Sequence, residues 1–257
     1  MKAIGALLIL VLITTGARAQ LTSKDLAAAG VFPPPHATLA PSLMLRTVDG
    51  SLRTIGESLN GHPGFVVFVD YTCNSLCGTE LQLLAGTIER ARLGASEFRL
   101  LVIGIDPKDS PQSAAAMERA QIPAALRPFT TFFLPDPATL KTMTAALGYR
   151  YVYDASIDQF AHPSVIYMVA ANGAMRAALT PLAVMSEDLR AILASTESPR
   201  PAWIRRLHLL CYAYDPATGR YSPRIDLLLK LGAAATLILL ASRILRMRRP
   251  RRRRHRR

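Results

Sequence analysis

Cysteine, tryptophan and acidic side chains are scarce in this 257-residue chain, which has three cysteines, one tryptophan, and 18 Asp and Glu against 31 Lys and Arg. No segment repeats, which argues against a solenoid or propeller array. The eight methionines form no Met-x-x-Met cluster and are assigned to packing. No Arg-Thr-Cys arrangement surrounds Cys73, so peroxide chemistry is not favoured.

The shortage of acid leaves a formal charge of +13, a nucleic-acid signal until it is located. Ten arginines from Arg243 to Arg257 supply ten of it, and the rest of the chain carries only +3. Because the cluster directly follows an apolar run, it reads as the positive flank of a membrane helix, and no nucleic-acid partner is expected. Apolar residues make up 50% of the chain, enough for a real core.

The ends suggest export. Lys2, the apolar run Ala3 to Ile13 and the small-x-small pattern Ala17-Arg18-Ala19 predict a signal peptide over 1–19, with a retained N-terminal anchor as the alternative. Residues 20–40, with Pro33-Pro34-Pro35, read as a stiff linker in which His36 is exposed. The apolar run over 225–245 is long enough to span a bilayer, and a transmembrane helix is expected there, with a helix packed on the domain as the alternative. Residues 196–224 then form a membrane-proximal linker and 246–257 a cytoplasmic Arg-rich tail. The expected location is the cell membrane in a single pass, with the main domain on the periplasmic side.

Between these ends, residues 41–195 alternate strand and helix signals. Phe65 to Val69 is a continuous apolar, β-branched run, as in a strand buried on both faces. Leu81, Leu84, Ile88 and Ala91 then recur at helical spacing. Phe98 to Ile105 predicts a second buried strand, Ser110-Pro111 starts a helix to about Ala120, and Thr131 to Leu134 is a short strand. Asp136-Pro137 caps a helix that stops at Gly148, and Tyr149 to Tyr153 is strand-like. Asn172-Gly173 joins two apolar runs as a hairpin, and Ser186-Glu187-Asp188 opens a last helix to about Ala194. The order predicts an α/β domain with a mixed sheet flanked by helices, thioredoxin-like, plus the C-terminal transmembrane helix.

Cys73 and Cys77 fall in the turn between the first buried strand and its helix. A thiolate there is favoured by the positive helix end and serves equally as nucleophile or ligand. Cys-x-x-Cys is the usual redox turn, whereas Cys-x-x-x-Cys lets both sulfurs point to one side with room for an ion between them. Two thiolates with one imidazole suit Cu(I). His162, just before a strand in Phe160-Ala161-His162-Pro163, stands where this fold brings a loop against the cysteine turn.

The segments FVDYTCNSLCGTEL, VIGIDPKDSP, LKTMTAALGYRYVY and AHPSVIYMVAANG resemble the SCO/SenC family of copper-binding, thioredoxin-like assembly factors of cytochrome c oxidase. The resemblance covers about residues 40 to 195. It implies that Cys73, Cys77 and His162 bind a copper ion, and that the partner is the oxidase subunit carrying the binuclear copper site or another copper or thiol protein. The sequence departs from the family where prolines usually follow each cysteine, having Asn74 and Gly78, and where Asp and Ser usually flank the histidine, having Ala161 and Pro163. Its anchor is also at the opposite end. A proline beside the histidine is similar to the cis-proline of redox-active thioredoxins and favours thiol chemistry.

The expected function is therefore a membrane-tethered copper metallochaperone rather than an enzyme. The alternative is an extracytoplasmic thiol–disulfide oxidoreductase using Cys73 and Cys77 as catalytic residues. A redox-regulated interaction module without turnover is a third reading. Cys211, near His208, is assigned to burial, with a reactive thiol or extra ligand as the alternative. Asp106 is a turn cap or a tuner of thiol acidity, and His62 is a turn residue.

Overall fold

The computed structural model describes residues 21, 28–73, 77–94, 96–155 and 158–194, then short pieces at 214–215, 220–221, 231–238, 240–241 and 243. The signal-peptide region, Cys211 with His208, and the Arg-rich tail 246–257 lie outside the described residues. Two units divide the chain, Met1–Cys211 and Tyr212–Arg257.

In the first unit the elements run β1 (Gly30–Val31), β2 (Met44–Arg46), β3 (Leu52–Thr54), α1 (Ile55–Leu59), β4 (Gly64–Val69), α2 (Cys77–Arg90), β5 (Arg99–Gly104) and α3 (Pro111–Gln121). They continue as β6 (Thr130–Phe133), α4 (Pro137–Leu147), β7 (Tyr149–Arg150), β8 (Val152–Asp154), β9 (Gln159–Ala161), β10 (Ile166–Val169), β11 (Met175–Leu179), α5 (Pro181–Ser186) and α6 (Leu189–Ala194).

Local chemistry sets the helix ends. Ser110 and Ser113 form a reciprocal capping box ahead of α3, with Pro111 at its start. Asp136 accepts the Ala138 and Thr139 amides at 2.9 and 3.0 Å to open α4. Gly148 closes α4 in the left-handed region at φ 67°, where a Cβ would fall 2.1 Å from the Phe32 carbonyl oxygen, so only glycine fits.

The central sheet has the order β11-β10-β4-β5-β6. β4, β5 and β6 are parallel, and β10 and β11 complete it antiparallel. All six residues of β4 are buried, and the pleat sends them alternately to two cores. Phe65, Val67 and Val69 meet Leu81, Leu84 and Ile88 of α2, while Val66 and Phe68 meet Leu140, Met143 and Leu147 of α4. A sheet apolar on both faces must be covered on both, and this is the mixed, helix-flanked thioredoxin-like arrangement.

The residues before 41 also join the domain: β1 pairs with β7, and Val31, Ala37 and Leu39 are buried. His36 is exposed in a turn at φ 57°. Short elements not expected from the sequence include β1, β2, β3, α1, β9 and α5, the last capped by Thr180, whereas the strand-like stretch 149–153 divides into β7 and the start of β8.

The expected transmembrane helix over 225–245 is corrected by the structure. Among the described residues no helix is long and apolar enough to cross a membrane. An apolar run of sufficient length is necessary for a membrane span but does not by itself establish one. Also in this second unit, β12 (Tyr214–Asp215) pairs with β13 (Arg220–Tyr221).

Candidate metal centre

The cysteine turn begins where β4 ends. Asp70, buried, accepts the Thr72 amide and the Thr72 hydroxyl through one oxygen, Oδ1, at 2.8 Å each. The Cys73 N–H donates to the Asp70 carbonyl at 3.2 Å. This Asx-type turn fixes the Cys73 backbone at the C-terminal end of the strand. Cys73 itself is half-buried against the core shared with α2. Cys77 is the first residue of α2, and its side chain, with residues 74–76, lies outside the described residues. The two cysteines thus bracket the step from strand to helix, at the helix end that stabilises a thiolate.

A second carboxyl braces this turn from below. Asp109 accepts the Tyr71 N–H through Oδ1 at 3.1 Å and the Asp106 N–H through Oδ2 at 3.4 Å. The Tyr71 hydroxyl lies 2.9 Å from the carbonyls of both Val102 and Phe133, between which its one proton is shared, tying the turn to β5 and β6. Gly104 makes the approach possible, because a Cβ there would lie 2.8 Å from both the Asp109 Oδ2 and the Tyr71 ring. Burial, followed by the charges of Asp70 and Asp106, pushes the Asp109 carboxyl up to about 8. Asp106 caps its own turn by accepting the Lys108 N–H at 2.8 Å.

His162 lies between β9 and β10 and is 1% exposed. Burial pushes its imidazole down to about 4, against the opposing pull of the Pro163 carbonyl, so the ring is neutral, the form that ligates metals. Its Nδ1 is 2.9 Å from the Tyr149 hydroxyl, and Tyr149 stacks on Phe68 at 4.6 Å. No cis peptide bond occurs among the described residues, so Pro163 lacks the geometry of a redox cis-proline.

Sheet register brings the two halves to one edge. In the antiparallel β4–β10 pair Ile166 faces Val67, so the entry to β10 lies beside the exit from β4. Lys108 pairs with Asp158, to which Tyr153 also donates at 2.6 Å, and these contacts tie the β5–α3 loop to the hairpin that leads to His162. Among the described residues no three His, Cys, Asp or Glu side chains form a metal-holding group.

Asp109 and Tyr149 went unnoticed in the sequence. The signal for Asp109 was a second aspartate three residues after Asp106 and directly before the Ser110-Pro111 cap. For Tyr149 there was none, since its partner is 13 residues away across a hairpin of three-residue strands. His62 sits in the turn after α1, its N–H donating to the Leu59 carbonyl at 2.9 Å.

The SCO1/SenC family profile matches residues 37–196. No curated protein sequence matches the chain. Among solved structures, one protein of Aquifex aeolicus VF5 is 15% identical, with a TM-score of 0.53 over 62% of this chain and 92% of its own. BsSco, a member of the Sco family of cytochrome c oxidase assembly proteins in which a disulfide switch was identified, is 17% identical, with a TM-score of 0.50 over 64% of this chain and 99% of its own. Arabidopsis thaliana ScoI, solved with copper bound, is 17% identical, with a TM-score of 0.48 over 56% of this chain and 91% of its own.

Proposed function

Because the chain belongs to the SCO1/SenC family, we propose that it is a copper carrier, with Cys73, Cys77 and His162 as ligands, that assists assembly of the binuclear copper site of cytochrome c oxidase. The observation that carries this reading is the shared end of two neighbouring strands: a strand-to-helix turn bracketed by two cysteines after β4, and a buried, neutral imidazole in the segment that leads into the adjacent β10. Two soft sulfurs and one imidazole suit Cu(I), and a site of so few donors lets a partner replace them one at a time. Copper is cargo here, passed by ligand exchange with no change of oxidation state required.

Titrating the reduced full-length chain with Cu(I) against a competing chelator tests it. One tight site is expected, lost in Cys73→Ser and Cys77→Ser and strongly weakened in His162→Ala. Equal binding by wild type and His162→Ala removes the histidine from the ligand set, and no binding by wild type removes copper.

A second reading, thiol–disulfide exchange, is favoured by the placement of the two cysteines on either side of one strand-to-helix step. One thiolate attacks a partner disulfide and releases a partner thiolate; the other then attacks the mixed disulfide. The chain ends oxidised and the partner reduced by two electrons. Here a single Cys→Ser variant traps a partner covalently and His162→Ala retains exchange; failure to trap excludes it.

A further inference from the structure

We propose that Gln121 is a positioning residue of the cysteine turn: its side-chain amide seats against Gly78, the residue after Cys77, and the glycine supplies the space that the amide fills. The copper consequence rests on the function proposed above, whereas the pairing of the two residues does not.

The geometry at Gly78 carries the assignment. A Cβ built there would lie 2.5 Å from Gln121 Nε2, 2.8 Å from Cδ and 3.2 Å from Oε1. The whole end of the side chain crowds one point, so exchanging the amide nitrogen and oxygen leaves the space it takes unchanged. Every other residue, proline included, carries a Cβ in that place. Backbone conformation does not call for glycine at this position, because Gly78 is not among the glycines with positive φ. Within a helix, glycine is the costlier choice against alanine. The side chain of Gln121 is what its absence of a Cβ accommodates.

Gln121 is the last residue of α3, and its own bonds do not hold it in place. Its Oε1 is buried with no hydrogen-bond partner, a costly state for a polar atom. The backbone on either side is what is fixed. Arg127 donates from Nη2 to the Arg119 carbonyl at 3.1 Å and from Nε to the Ile122 carbonyl at 3.0 Å, bracketing Gln121. Ile122 is 2% exposed, in the core where Ala114 and Met117 of α3 meet Leu81 and Leu84 of α2. The amide is thus seated by a clamped helix end on the first turn of α2, the turn that opens with Cys77.

A double-mutant cycle on the reduced, metal-free full-length chain tests the pair, reading the alkylation rate of Cys77 by fragment-ion mass spectrometry and, separately, the Cu(I) dissociation constant. Gln121→Ala leaves the turn unbraced and is expected to speed Cys77 labelling about threefold through easier local opening. It is expected to raise the Cu(I) dissociation constant about tenfold, as loss of an outer-shell support does. Gly78→Ala puts a methyl where the amide stands and evicts it, so in that background Gln121→Ala is expected to change either quantity by less than about 1.5-fold. Equal effects of Gln121→Ala in both backgrounds, or no effect beside the native Gly78, overturn the proposal. A merely structural contribution would appear as the same loss whichever residue stands at 78. If Gly78→Ala fails to fold, Gln121→Asn decides: it withdraws the amide by one methylene, so labelling as fast as in Gln121→Ala supports the seat and labelling at the wild-type rate overturns it. A wild type that binds no copper, with the labelling dependence intact, overturns the copper reading and leaves the pair standing.

Discussion

Replacing Asp109 by asparagine separates its charge from its shape. The carboxyl sits under the cysteine turn, and burial with the charges of Asp70 and Asp106 lifts it from the ordinary 3.8 to about 8. The folded chain therefore holds a proton that the unfolded chain has released. The stability tied to that proton is fully present below the unfolded value and is lost as pH rises through about 8. Linkage sets a ceiling of roughly 6 kcal/mol across the interval, at most about 1.4 kcal/mol per pH unit. The group is only half-buried, and solvent screening brings the expected figure to about 2 kcal/mol. Asparagine keeps an oxygen for the Tyr71 N–H, loses the long bond from the Asp106 N–H, and never ionises. Asp109→Asn is thus expected to match wild type near pH 5 and to exceed it progressively toward pH 9, the difference growing by about 2 kcal/mol. Urea unfolding of both full-length chains, followed by circular dichroism at several pH values under reducing conditions, measures it. A difference that stays constant from pH 5 to 9, or that grows in favour of wild type, refutes the claim that this carboxyl is held protonated.

Gly148→Ala forces a left-handed Cβ against the Phe32 carbonyl, so a loss of about 2–4 kcal/mol is expected in urea unfolding; a change under about 1 kcal/mol would mean that Phe32 does not pack there in solution. Leu84→Ala, from a fully buried position between α2 and the sheet, is expected to cost about 2–5 kcal/mol in the same assay, and a near-neutral result would contradict the docking of α2 on β4.

The elements that were legible in the sequence are those whose signals are local. β4 and β5 announce themselves as unbroken apolar runs, α3 and α4 by Ser-Pro and Asp-Pro starts, and the β10–β11 hairpin by Asn172-Gly173, where Gly173 adopts φ 80°. β1 was not legible because two residues pair with a strand more than a hundred positions away, and β9 is too short for any alternation to register. α5 did carry a Thr180-Pro181 start, but its six residues, with Leu182 and Met185 exposed, lack a helical apolar stripe. The apolar C-terminal run misleads, since hydropathy reports composition, whereas among the described residues no helix is long and apolar enough to cross a membrane. In the candidate centre, the positions of Cys73, Cys77 and His162 followed from motif and strand order. Their supports did not, because Asp109 and Tyr149 act through contacts that only the tertiary arrangement creates.

The pairing of Val31 with Tyr149 means that the family boundary and the folding boundary differ. The SCO1/SenC match starts at residue 37, yet the strand edge that steadies the tyrosine belongs to residues before it, reinforced by Arg150 over the Phe32 ring at 4.8 Å. A fragment cut at the homology limit would keep every candidate ligand and still lose a wall of the histidine's cradle. The N-terminal segment thus acts as a strap, clamping the short strand whose tyrosine hydroxyl touches the His162 ring.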